Sequence, residues 1–151
     1  MKKAAKTSPK PYPLNTQVSK VEEPYISVPR VNRLQAALAD FPYKKFQKIA
    51  SKIPFTLNEW ANILHLSERT LQRYAKNNSS FEGIYTDRIL LLQEMIQLGL
   101  ETFTDSVAFY QWLKKPKEVM GENIDFQYLY HSEGIHQIND QLGRIQQGVY
   151  A

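Results

Sequence analysis

The sequence predicts an all-α protein, and three observations carry that expectation. Apolar residues recur at spacings of three and four along most of the chain from Val31 onward, the period of a helix with one buried face. From Val31 to Pro54 no stretch reads as the apolar–polar alternation of a half-buried strand over four or more positions. Helix-capping residues and prolines punctuate the periodic segments at the places where helices start and stop.

The 151 residues suffice for one compact domain or two very small ones, and 42% apolar with 12% aromatic is a globular composition. The chain has no cysteine, which excludes disulfides and thiolate metal sites. No apolar run is long enough to span a bilayer, and the basic start MKKAAKTSPKPYP lacks the apolar core of a signal peptide. A cytoplasmic protein with no membrane partner is expected. The net charge of +4 is unevenly spread. Residues 1–33 hold seven Lys/Arg and two acids, residues 41–80 again seven and two, and residues 81–151 five and ten. Such a distribution gives the basic half to nucleic acid and the acidic half to a basic protein.

Residues 1–30 carry five of the eight prolines with many Lys and Ser/Thr, a composition that predicts a disordered or extended tail. A first helix is expected at Val31, Leu34, Leu38 and Phe41, interrupted by Pro42. A second follows with Phe46, Ile49, Ala50 and Ile53 inside, Lys44, Lys45, Lys48 and Lys52 outside, and Pro54 at its end.

Residues 55–77, FTLNEWANILHLSERTLQRYAKN, predict a helix-turn-helix. Thr56 and Glu59 form a capping box for a helix that buries Leu57, Trp60, Ala61 and Leu64. Ser67 caps a second helix bearing Thr70, Leu71 and Tyr74. Small Ala61 allows a close helix crossing, and Leu66 and Leu71 pack the turn. His65 stands where a glycine is usual and would need either a different turn or a positive φ, which histidine tolerates better than most residues. Arg69, Gln72 and Arg73 are then placed to read base edges in a major groove, and Ser67, Thr70 and Lys76 to hold phosphates.

A loop follows from Asn77 to Gly83, and then the most apolar segment, Thr86 to Leu100, expected to be both the central helix and a homodimer interface. Thr104 or Asp105 starts a helix with Val107, Phe109, Trp112 and Leu113, ended by Lys114, Lys115 and Pro116. A short turn at Val119-Met120-Gly121 precedes a helix opened by Asp125 with Phe126, Leu129 and Tyr130. The last helix carries Ile135, Ile138, Leu142, Ile145 and Val149 on one stripe and stops at Gly148. Both tryptophans are expected in the core, Trp112 with Phe109 and the stripe from Ile135 to Ile145 in a small helical core. The ordered end with its short apolar tip is expected to bind something, either the chain's own core or another molecule.

His65, His131 and His136 fall on separate elements with no acid cluster, and no phosphate-binding loop, dinucleotide fingerprint or nucleophile elbow occurs. No enzyme, metal, cofactor or small-molecule substrate is expected.

Residues 102–151 resemble the C-terminal toxin-binding domain of the MbcA/ParS/Xre antitoxin family, the partners of RES-domain toxins. Phe103, Phe109, Trp112-Leu113, Pro116, Met120-Gly121, Phe126, Leu129, Glu133-Gly134, Ile138, Leu142-Gly143-Arg144-Ile145 and Gly148-Val149-Tyr150-Ala151 carry the likeness. The helix-turn-helix occupies the family's usual position. Two residues depart from the pattern: Glu122 replaces the second glycine of a pair, and Asp125 replaces a proline. The resemblance implies a dimeric antitoxin of a type II toxin–antitoxin pair that binds operator DNA. The basic, proline-rich tail at 1–30 lies outside the likeness; beyond it a DNA-binding and dimerisation region at 31–100 and a toxin-binding domain at 101–151 are expected. Arg144, Gly148, Val149, Tyr150 and Ala151 would block the NAD pocket of the toxin. The competing expectation is a stand-alone helix-turn-helix transcriptional regulator without a toxin.

Overall fold

A computed structural model describes residues 40–148. The tail at 1–30, the helix expected from Val31 to Leu38 and the tip Val149-Tyr150-Ala151 lie outside the described residues. Six α-helices follow in order: α1 (Tyr43–Ala50), α2 (Leu57–Leu64), α3 (Glu68–Asn77), α4 (Gly83–Thr102), α5 (Ser106–Lys114) and α6 (Ser132–Gln146). Between α5 and α6 stand two three-residue strands, β1 (Lys117–Val119) and β2 (Glu122–Ile124), and a 3-10 helix (Phe126–Tyr130). The all-α expectation holds.

α1 buries Phe46 and Ile49 but stops at Ala50, so Ile53 is buried from a turn rather than from the helix. Pro54 explains the early end, because it disfavours helical geometry at the residue before it. Ser51 adds a competing bond from its hydroxyl to the Lys48 carbonyl (3.0 Å).

α4 is the axis of the fold. Ile89, Leu91, Leu92, Met95 and Ile96 are buried along it, and α2, α5 and above all α6 pack on it. The predicted core role is therefore met within one chain. Its one buried hydroxyl, Thr86 Oγ1, donates to the carbonyls of Phe81 (3.3 Å) and Glu82 (3.2 Å). At Gly99 a Cβ would lie 2.3 Å from the Phe109 ring, so the glycine is what lets α5 approach.

α5 is capped by Asp105, whose carboxylate accepts from Ala108 N (2.7 Å). Phe109 and Leu113 are buried, whereas Val107, near the start of the helix, is 52% exposed. Position 107 falls two residues from Phe109, on the far side of the helix. The turn expected at Val119-Met120-Gly121 is the tip of a β-hairpin. Met120 and Gly121 both have positive φ (53° and 84°), as a two-residue hairpin turn requires. Three-residue strands are too short to show as alternation in sequence, which is why the strands were missed.

Asp125 caps the following helix through Gln127 N (2.9 Å), and that helix is of the tighter 3-10 type. α6 buries Ile135, Ile138 and Leu142 against α4, with Ile145 half-buried at the end of the stripe. Gly134 enters α6 at a point where a Cβ would lie 2.1 Å from the Tyr128 carbonyl oxygen. The helix ends as the sequence predicts, with Gly148 at φ 71°.

Phe41 to Leu142 contribute to one apolar core. Trp60 is buried edge-on to Phe46 (5.0 Å) and Phe55 (5.1 Å). Trp112 is half-buried against Phe103 (5.4 Å) and Phe109 (6.2 Å). Among the described residues no helix is long and apolar enough to cross a membrane.

Candidate functional site

The geometry of the site begins with caps. Thr56 Oγ1 accepts from Glu59 N (3.1 Å), and the Glu59 carboxylate accepts from Thr56 N (2.9 Å), which completes the predicted capping box of α2. Ala61 is buried at the crossing, Leu71 is buried beneath it and Leu66 is half-buried in the turn. His65 takes the left-handed conformation (φ 56°, ψ 39°) in place of glycine. Its ring Nε2–H donates to the Tyr130 carbonyl (2.7 Å), a bond a glycine could not make. Arg88 Nη1 donates to the same carbonyl (2.8 Å), so the turn is fastened to the end of the 3-10 helix from two sides.

Ser67 caps α3 by accepting from Thr70 N (3.0 Å), and the Ser67 and Thr70 hydroxyls bond each other at 2.8 Å. Arg69, Gln72, Arg73 and Lys76 are all exposed, and together with Thr70 they line one depression along α3. The structure thus assembles the side chains expected to meet DNA on a single face, pointing away from the core.

The opposite end gathers fewer of the expected residues. Arg144 sits on α6 and its Nη1 donates to Met120 Sδ (2.9 Å). With Val119, Glu122, Ile124 and Gln141 it lines a cleft of about 250 Å³ between hairpin and helix. Gly148 is exposed at the end of α6, and Val149, Tyr150 and Ala151 lie outside the described residues. The two departures from the resemblance are both accommodated. Positive φ falls on Met120 and Gly121 rather than on Glu122, and Asp125 supplies the cap.

A polar cluster behind the helix-turn-helix has no counterpart in the sequence reading. Glu59, already the capping-box carboxylate, accepts from Lys114 Nζ (2.7 Å) and from the Tyr110 hydroxyl (2.9 Å). Burial pushes the Glu59 carboxyl upward, but the hydrogen bonds from Lys114, Thr56 and Tyr110 outweigh it and hold the group below its ordinary 4.5. Its bond to Glu59 raises the Lys114 ammonium in turn. Lys114 Nζ also lies 4.3 Å from the centre of the Phe126 ring. The cluster ties α2 to α5, and no local spacing could have shown it, because Glu59 and Lys114 are 55 residues apart.

A buried small residue at the crossing, a capped second helix and an outward basic face define the helix-turn-helix class of DNA-binding domain. Within that class, residues 33–94 match the family model of the antitoxin Xre-like helix-turn-helix domain, a span that includes α1 to α3 and the first part of α4. The likeness supports an antitoxin or DNA-binding regulator of the Xre type, a regulatory rather than an enzymatic class. No curated protein matches the chain.

Proposed function

We propose that the chain is the antitoxin of a type II toxin–antitoxin pair and neutralises a RES-type, NAD-consuming toxin with its C-terminal end. The observation that carries this reading is the match of residues 33–94 to the antitoxin Xre-like domain, ahead of a C-terminal segment that resembles the toxin-binding domain. In this reading residues 101–151 are the toxin-binding region and residues 31–100 the DNA-binding and dimerisation region. Arg144, Gly148, Val149, Tyr150 and Ala151 form or shape the plug, with Tyr150 as the anchor, since a rigid aromatic in a pocket is a common hot spot.

Operator binding belongs to α3. Arg69, Gln72 and Arg73 read bases, and Ser67, Thr70 and Lys76 hold phosphates. The Ser67–Thr70 hydroxyl pair leaves one hydroxyl proton for an incoming oxygen. A homodimer presents two such helices to two half-sites.

Co-expression with the product of the neighbouring reading frame tests the pairing. A RES-type neighbour whose NAD consumption the chain suppresses supports the proposal. Continued NAD loss in the presence of the intact chain refutes it.

A further inference from the structure

The basic face of α1 is not used by the reading above. Lys44, Lys45, Lys48 and Lys52 are all exposed. At 100° per residue Lys44 and Lys48 lie about 40° apart on the side of α1 away from the buried Phe46, Lys45 lies nearer the buried Ile49, and Lys52 stands in the turn just after the helix. Lys45 is drawn aside, its Nζ donating to the Asp40 carbonyl (3.1 Å) and lying 5.9 Å from the centre of the Phe41 ring.

The start of this basic face is clamped to the end of α3. Tyr43 N donates to the Ser79 carbonyl (3.0 Å), Lys44 N donates to Asn78 Oδ1 (3.0 Å), and Phe81 N donates to the Phe41 carbonyl (2.9 Å). Asn78 is itself the left-handed C-cap of α3. Lys44 therefore begins where the basic face of α3, ending at Lys76, leaves off. From there Lys48 continues along α1, and Lys52 follows in the turn after the helix ends at Ala50. Lys48 and Lys52 also rim a shallow depression of about 260 Å³, with the Gln93 side chain of α4 on its other wall. Two ammonium groups and an amide around such a depression match a phosphate group chemically.

Of the two acids in residues 41–80, Glu59 holds Lys114, and Glu68 accepts from Asn58 Nδ2 at 2.7 Å.

We infer that the outer side of α1 and the turn after it form a second phosphate-binding surface, through which Lys44, Lys48 and Lys52 hold the DNA backbone beside the groove that α3 enters. The inference rests on α3 being the operator-reading helix. Backbone contacts of this kind add affinity without sequence preference, and each neutralised phosphate steepens the salt dependence of binding by about 0.9 in log–log slope.

The test is fluorescence anisotropy of the full chain on two labelled duplexes, its own promoter and a scrambled copy, over a salt series. The triple variant Lys44→Gln/Lys48→Gln/Lys52→Gln should weaken binding to both duplexes equally and flatten the salt slope by about 2 to 3. The triple Lys→Arg variant should restore the slope. Arg69→Ala/Arg73→Ala should instead erase the preference for the promoter. A triple Gln variant with the wild-type slope overturns the α1 surface and leaves the α3 assignment standing. A wild-type chain that binds neither duplex refutes both.

Discussion

The helix-turn-helix and the segment after α4 achieve order by different means. α2 and α3 each carry a side-chain cap supplied by their own sequence, with donors and acceptors three residues apart. The segment from α5 to α6 also has local caps, at Asp105 and Asp125, but its placement depends on distant partners. Gly99 admits Phe109, Gly134 admits the Tyr128 carbonyl, and the Tyr130 carbonyl accepts from both His65 and Arg88. A region organised locally can be read from sequence and tolerates change at its partners. A region organised by close approach is unforgiving at a few points.

The largest expected effect lies at such a point. Gly134→Ala must move backbone, because the added methyl meets the Tyr128 carbonyl rather than a flexible side chain. It should cost about 3 kcal/mol, measured as a lowered midpoint in urea. A cost below that of removing a helix cap would break the comparison.

Next comes the link between the two regions. Glu59→Ala removes half of the capping box and leaves Tyr110 and Lys114 without their acceptor, and should cost about 2 kcal/mol. Because the folded carboxyl lies below its ordinary 4.5, its contribution is present above that pH and fades as pH falls through the folded value. Acid titration of stability should therefore be flatter in Glu59→Gln than in the wild type.

A purely local device should matter less. Ser67→Ala removes the cap of α3 and should cost about 1 kcal/mol, with a matching loss of helical circular dichroism on mild heating.

A pH-dependent effect concerns Lys117, which donates to the Lys115 carbonyl (2.8 Å) and lies 4.2 Å from the Trp112 ring. Burial lowers its pKa from 10.5 to about 8. Between those values the unfolded chain holds the extra proton, so this group makes stability rise with pH above 8. Lys117→Met should abolish that rise, which thermal melts at pH 8 and 9.5 would record.

The same contrast explains what was legible in the sequence. The capping box at Thr56, the cap at Ser67, the positive φ at His65 and the stop at Gly148 all follow from residues within one helical turn of each other. The outward Arg69, Gln72, Arg73 and Lys76 followed from them, since fixing the buried Leu71 fixes the opposite face. The hairpin was invisible because its strands are only three residues long. The Glu59–Lys114–Tyr110 cluster and the shared Tyr130 carbonyl were invisible because their members meet only through the tertiary fold.

The central claim is that one end of the molecule reads DNA while the other holds a toxin inactive. It is tested most directly by measuring cellular NAD when the neighbouring gene product is co-expressed with either of two variants. Deleting Gly148 to Ala151 should release NAD loss while promoter binding persists; Arg69→Ala/Arg73→Ala should do the reverse, preserving NAD while promoter binding disappears. NAD that stays at its normal level with the truncated chain would contradict the account.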